Sequence, residues 1–173
     1  SPCIHFKDTL LIEVGRGCKR GCRFCAAGFA YQPTRYVPKE NILRQIEDYI
    51  GENRQVGLVG TLVSDYPDFE KVCQELKQRG LEIRTSSMRI DRLNSNLLKY
   101  LSESGMKTLT LAPEVGSSRM QKIINKKMDL DEILKSIELA KQNNINSLKL
   151  YFMLGLPFEK DEDIDAMVEL LKK

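Results

Sequence analysis

Three cysteines within eight residues carry the densest chemistry in this chain. The run Cys18-Lys19-Arg20-Gly21-Cys22-Arg23-Phe24-Cys25 spaces them C-x3-C-x2-C. A short loop of this kind presents three thiolates to a common centre. Thiolate is the usual iron ligand in iron–sulfur clusters, so the loop can hold three corners of a cubane and leave one iron without a protein ligand. An open coordination position is what lets a substrate or cofactor enter a metal site. The competing use of these residues is zinc. Structural zinc takes four ligands, usually as two well-separated pairs. The fourth would have to be Cys3, His5 or Cys73. Cys73 falls on the apolar face of a helical pattern, where a small core residue is the simpler reading. Nothing in the sequence positions Cys3 or His5.

The remaining composition narrows the field. One histidine in 173 residues leaves almost no room for a His-based dyad or a multi-His metal site. Five cysteines, an odd number with no leader before them, argue against a secreted disulfide framework and for a reducing, cytoplasmic setting. Lys and Arg total 27 against 24 Asp and Glu, a net +3, so neither a basic nucleic-acid arm nor an acidic tail is present. No apolar run reaches the length of a membrane span. After the first strand comes Gly15-Arg16-Gly17-Cys18, which fails the dinucleotide-binding glycine pattern at its third glycine.

The elements that must position the cysteine loop form a repeating rhythm. Short apolar runs at 10–14, 56–63, 81–83, 106–112 and 147–154 read as buried parallel strands. Helical faces separate them: Ile42, Ile46, Tyr49 and Ile50; Phe69, Val72, Cys73 and Leu76; Leu97, Leu98 and Leu101; Ile133, Leu134, Ile137 and Ala140; Ile164, Met167, Val168 and Leu171. Gly80 and Gly105 stand where helix C-terminal caps belong. Asp129 and Glu132 have capping-box spacing, and Pro67 suits a first helical turn. About five strand–helix units imply a parallel sheet with right-handed crossovers, either doubly wound or part of a barrel. A full eight-unit barrel takes roughly 250 residues, so this chain supplies only a partial one. The chain ends on a helical pattern with no stop signal, so a piece of a longer protein is expected. Residues 1–9 then read as the remnant of an upstream linker and 10–173 as the core domain.

C-x3-C-x2-C with an aromatic residue, Phe24, before the last cysteine resembles the signature of the radical S-adenosylmethionine (radical SAM) superfamily. The likeness extends along the chain. Gly17-Cys18 through Cys25-Ala26-Ala27-Gly28, Ala112-Pro113-Glu114-Val115-Gly116-Ser117 and Leu150-Tyr151-Phe152-Met153-Leu154-Gly155-Leu156-Pro157 resemble members with an upstream cobalamin-binding-type domain. The last block is also similar to the methylthiotransferase branch. The resemblance implies a partial (β/α)6 barrel, an incomplete TIM barrel. It implies a [4Fe–4S] cluster on Cys18, Cys22 and Cys25, with S-adenosylmethionine chelating the fourth iron through its amine and carboxylate. One-electron reduction then cleaves the S–C5′ bond to give a 5′-deoxyadenosyl radical. Cobalamin would enter only through a domain outside these residues.

The same resemblance assigns the strand ends, which face the site in such folds. Phe24 meets the adenine. Ser64 and Asp65 stand where the family has a Gly-Gly-Glu motif touching the methionyl amine; the plain alternative is that Asp65 starts the next helix. Position at the third strand's end, rather than the resemblance, points Ser87 and Arg89 to the ligand, Arg89 as a fork on a carboxylate, against a simple Arg89–Asp91 surface pair. Glu114 takes the ribose hydroxyls, and Arg119 covers its helix's outer face. Gly155 and Leu156 lie against adenine, unless they only make a tight turn; Lys149 reads as a solvated residue. Arg16, Lys19, Arg20 and Arg23 ease reduction of the cluster and steer an acidic flavodoxin or ferredoxin, or are solvated loop charges.

Two other readings remain beside a radical SAM core with an unnamed substrate. A methylthiotransferase acting on RNA or protein needs a second cluster, and Cys3 and Cys73 cannot supply three more ligands. An electron-transfer or structural zinc module would close every coordination position with protein.

Overall fold

A computed structural model describes residues 8–129 and 131–172 of the chain. The first strand, β1 (Thr9–Arg16), alternates as a sheet element with one covered face should. Ile12 and Val14 are buried, and Leu11 and Glu13 between them are exposed. A four-residue helix, α1 (Ala27–Ala30), follows the cysteine loop. Next comes β2 (Arg35–Tyr36), a two-residue antiparallel partner of β1 that no apolar run announces. Helix α2 (Lys39–Tyr49) packs behind β1 through Ile42 and Ile46, while Tyr49, expected on that face, is exposed.

The later units repeat the pattern. Strand β3 (Gln55–Gly60) precedes α3 (Phe69–Gln78), β4 (Glu82–Thr85) precedes α4 (Ser95–Glu103), and β5 (Thr108–Glu114) precedes α5 (Ser118–Ile123). Helix α6 (Asp131–Gln142), strand β6 (Ser147–Phe152) and α7 (Asp161–Lys172) complete the order. Strand β3 stops at Gly60 rather than running to Val63. Val63–Asp65 is instead a tight 3-10 turn, with the Asp65 amide on the Leu62 carbonyl at 3.2 Å. Pro67 lies just ahead of α3.

The glycine caps close their helices as expected. Gly80 and Gly105 have φ of 69° and 93°. The amides that follow them, Leu81 and Met106, reach back to Leu76 and Leu101 at 3.0 Å each. At the head of α6, Asp129 Oδ1 accepts from the Asp131 amide at 3.0 Å and Glu132 Oε2 from the Asp129 amide at 3.4 Å.

The sheet runs β2-β1-β3-β4 and then β5-β6, parallel except for β2. The two parts meet at one bridge, Met88 with Leu111, where the Met88 amide donates to Thr110 at 2.9 Å. The result is an open, partial barrel of five parallel strands. Its core lies between strands and helices, built from Val56, Leu58, Ile83, Leu76, Leu98 and Leu109, all essentially inaccessible. The other sheet face is not packed: Leu11, Val59 and Tyr151 remain 37–45% exposed. Among the described residues, no helix is long and apolar enough to cross a membrane.

Candidate functional site

The cysteine loop leaves β1 through Gly17, and no other residue fits there. Its φ is +91°, and a Cβ at this position would stand 2.1 Å from the Tyr31 carbonyl oxygen. The Gly17 amide donates to Thr61 Oγ1 at 3.1 Å, tying the loop to the end of β3. Gln32 Nε2 holds its far side, donating to the carbonyls of Cys18 at 2.7 Å and Gly28 at 2.8 Å.

A second brace comes from residues 123–127, after α5. The Arg23 amide donates to the Ile124 carbonyl at 2.9 Å, and Arg23 Nη1 to that of Ile123 at 2.6 Å. Asn125 Nδ2 donates to Gly21 O at 2.8 Å. Asn125 and Lys127 both sit at positive φ, 54° and 50°, so the chain turns sharply to present Lys126 inward.

Cys18, Cys22 and Cys25 are half-buried and free of disulfides. A cleft of about 160 Å³ opens beside Cys22 and Cys25, lined by Arg20, Cys22, Phe24 and Cys25 from the loop and by the ends of β3, β4 and β5. Ser87, Arg89 and Glu114 reach this cleft as expected, and so does Lys126. The Lys126 side chain is only 8% exposed; its Nζ is 2.7 Å from Glu114 Oε1 and 5.9 Å from the centre of the Phe24 ring. Glu114 itself stands at φ 69°, a left-handed conformation unusual for a side chain of its size at a strand end. Burial pushes the Cys22 thiol up, and the nearby Lys126 and Arg89 cations offset only part of that rise.

A neighbouring apolar cavity of about 440 Å³ shares Phe24 with the first and adds Arg23, Ile123, Ile124, Leu156 and Phe158. Leu156 is therefore near Phe24, in the cavity next to the cysteines' cleft. Gly155 lies outside both. At φ +76° it makes the exposed turn, its amide donating to Glu159 Oε2 at 2.6 Å.

Ser64 and Asp65 line neither cavity. The Asp65 carboxylate is fully engaged: Arg20 grips both oxygens, Nε at 2.6 Å and Nη2 at 2.5 Å, and Arg92 Nε adds 2.9 Å. Ser64 Oγ accepts from the Arg89 amide at 3.2 Å. At that strand end Thr61 and Leu62 face the cleft instead. Arg89 does pair with Asp91 at 2.7 Å, but the guanidinium is buried, not on the surface, and also donates to the carbonyls of Lys126 and Lys127 at 3.2 and 3.3 Å. Arg20 is likewise no solvated loop charge. Arg119 does not simply cover its helix: it clasps Asp163 and donates to the Phe158 carbonyl at 2.8 Å. Lys149 lies over the Tyr151 ring at 5.0 Å.

Lys126 and Asn125, with Thr61 and Leu62, are among the site residues that sequence reasoning missed. For Lys126 the available hint was the lysine-rich run following Glu114.

The donor set discriminates between metals. Among the described residues, no three Cys, His, Asp or Glu side chains stand close enough to hold a single metal ion. Cys73, one candidate fourth zinc ligand, is inaccessible in the core on α3; Cys3 and His5 lie outside the described residues. A cubane places its ligand sulfurs on separate irons, so they need not converge on one point. Three thiols on one braced loop, without a fourth among the described residues and with a cleft beside them, fit such a cluster.

Comparison with known proteins agrees. A family model described as the Radical SAM superfamily matches residues 12–171. An uncharacterized protein of Methanocaldococcus jannaschii is 40% identical over 170 residues, covering 97% of this chain and 38% of that one. The tRNA-2-methylthio-N(6)-dimethylallyladenosine synthase of Petrotoga mobilis is 25% identical over 182 residues, covering 96% and 41%. This chain thus spans about two fifths of the length of these relatives. Among solved structures, the radical S-adenosylmethionine methyltransferase TsrM of Kitasatospora setae, with cobalamin and a [4Fe–4S] cluster bound, superposes with a TM-score of 0.76 at 11% identity, covering 94% of this chain and 34% of that one. At that identity the likeness speaks for the fold alone.

Proposed function

Since the chain belongs to the radical SAM superfamily, we propose that Cys18, Cys22 and Cys25 hold a [4Fe–4S] cluster and that the cleft beside them seats S-adenosylmethionine. Bound there, the two supply the electron and the S–C5′ bond whose reductive cleavage yields a 5′-deoxyadenosyl radical. The protein's share is positioning and electrostatics. The observation that carries the reading is the cleft itself, where the thiol-bearing loop, Glu114 and two buried cations meet.

Within it, Glu114 accepts from the ribose hydroxyls. Lys126 and Arg89 offer positive charge to the methionyl carboxylate, and Ser87 offers a neutral hydrogen bond. Phe24 and Leu156 supply apolar surface to the adenine. Asp65 is left out of this assignment, because an aspartate already gripped by two guanidiniums has little capacity left for an ammonium.

The exposed face of β1, β3 and β6 is where a substrate would approach. The substrate, a cytoplasmic setting, an acidic flavodoxin- or ferredoxin-like donor and a cobalamin domain belong to the longer protein of which this chain is read as the core, residues 10–173. The likeness to a tRNA methylthio synthase supports a second reading, methylthiolation, which requires another cluster on cysteines elsewhere in that protein.

The test is electron paramagnetic resonance of the anaerobically reconstituted, reduced protein. A [4Fe–4S]+ signal that shifts on adding S-adenosylmethionine is expected. A signal indifferent to it means a closed electron-transfer site and overturns the reading.

A further inference from the structure

Arg20 lies between two cluster cysteines in the sequence, and its guanidinium is held by Asp65, 45 residues on. That carboxylate is among the least accessible charges of the fold, with its side chain 4% exposed, at the turn where β3 gives way to α3. The grip is bidentate, the strong and directional form of an arginine–carboxylate pair. A third donor of the same guanidinium, Nη1, reaches Asp91 Oδ2 at 3.2 Å.

From Asp91 the contacts continue. Its other oxygen holds Arg89 at 2.7 Å, and Arg89 Nη2 reaches the Lys126 carbonyl at 3.2 Å. Next to Lys126, Asn125 returns to Gly21 O, beside Arg20, at 2.8 Å. The polar contacts thus form a closed circuit. It starts on the cysteine loop, passes the end of β4 and the turn after α5, and re-enters the loop one residue from where it left, with Asp65 at the end of β3 anchoring Arg20.

We propose that Arg20, clamped by Asp65, is a positioning residue that sets the shape of the cysteine loop before any cluster is present. The inference rests on the loop's cluster-binding role only for its consequence, not for the clamp. The circuit contains no cysteine side chain, so it holds the loop in the metal-free protein. Its geometry needs a planar fork. Lysine carries the same charge but cannot hold both Asp65 oxygens and Asp91 together.

Amide hydrogen exchange on the metal-free protein tests the clamp directly. In Arg20→Gln and in Arg20→Lys, the amides of Arg23 and Cys25, hydrogen-bonded to Ile124 and Cys22 respectively, should exchange at least about tenfold faster than in the wild type. Those of α3 and α4 should stay unchanged, which distinguishes local loosening from global unfolding. After reconstitution, Arg20→Lys should show several overlapping paramagnetic signals where the wild type shows one, and should need several-fold more S-adenosylmethionine to shift them. Arg20→Lys behaving as wild type in both measurements overturns the proposal, because a point charge then suffices. If the wild type itself gives no signal sensitive to S-adenosylmethionine, the proposed function fails, and the amide exchange alone decides the clamp.

Discussion

Lys126 Nζ and Glu114 Oε1 are 2.7 Å apart at the floor of the cleft, twelve residues apart in sequence and both mostly shielded from water. Removing one partner of such a pair strands the other. Lys126→Met should cost about 2 kcal/mol of stability. The double variant Glu114→Gln, Lys126→Met should recover most of that loss, since no charge is left unpaired. Both variants should lose affinity for S-adenosylmethionine. Chemical denaturation beside equilibrium binding separates the two effects; a double variant that binds normally would remove this pair from the site.

The four described cysteines should divide three to one. In metal-free protein near pH 8, iodoacetamide should label Cys18, Cys22 and Cys25 and leave Cys73 untouched until the protein unfolds. Burial pushes the Cys73 thiol far up, so the reactive thiolate is not formed. Serine at any of the three loop positions should abolish the paramagnetic cluster signal with little change in melting temperature. Cys73→Ser should retain the cluster and lose about 1–3 kcal/mol, the cost of a buried hydroxyl without a partner. Mass spectrometry of the labelled peptides and iron content per chain provide the readouts.

Gly17→Ala should disrupt the loop at its root. The added methyl meets the Tyr31 carbonyl, and the φ of +91° disfavours any side chain, at about 1–3 kcal/mol for the backbone strain alone. Iron uptake should fall more steeply than thermal stability. Equal, small losses in both would mean that the loop tolerates a different exit from β1.

Asp163 gives the expected acid sensitivity. Arg119 and Ser117 hydrogen-bond its carboxylate and hold the group at about 2, below the ordinary 3.8. A folded-state value that is depressed stabilises the fold at pH above the unfolded value. That contribution should be lost as pH falls from about 4 toward 2. Asp163→Asn should therefore be less stable than wild type at pH 6, and the gap should narrow by pH 3. Urea midpoints at the two pH values check it; a gap that stays constant would show that charge on Asp163 is not what holds α5 against α7.

What could be read from the sequence followed from contiguity. Cys18, Cys22 and Cys25 lie within eight residues, so their spacing alone marked a candidate site. The five parallel strands appeared as apolar runs because both their neighbours and their helices are apolar. Asp65 was misplaced for the opposite reason. Its residue type suited a ligand contact, but its partner Arg20 is brought to it only by β1 and β3 lying side by side. Lys126 escaped notice because its inward turn depends on Asn125 and Lys127 adopting positive φ without a glycine to signal it. The strand β2 is two residues long, too short for any periodicity.

The seam between β4 and β5 bears on how the site responds to its occupant. A single backbone bridge at Met88 and Leu111 joins the two parts of the sheet, where other neighbours share full ladders. The cleft straddles that seam, with Ser87 on one bank and Glu114 on the other. One bridge resists sliding far less than a ladder does, so the banks form a compliant joint. A molecule that touches both banks would act as its cross-beam, and binding should stiffen that joint.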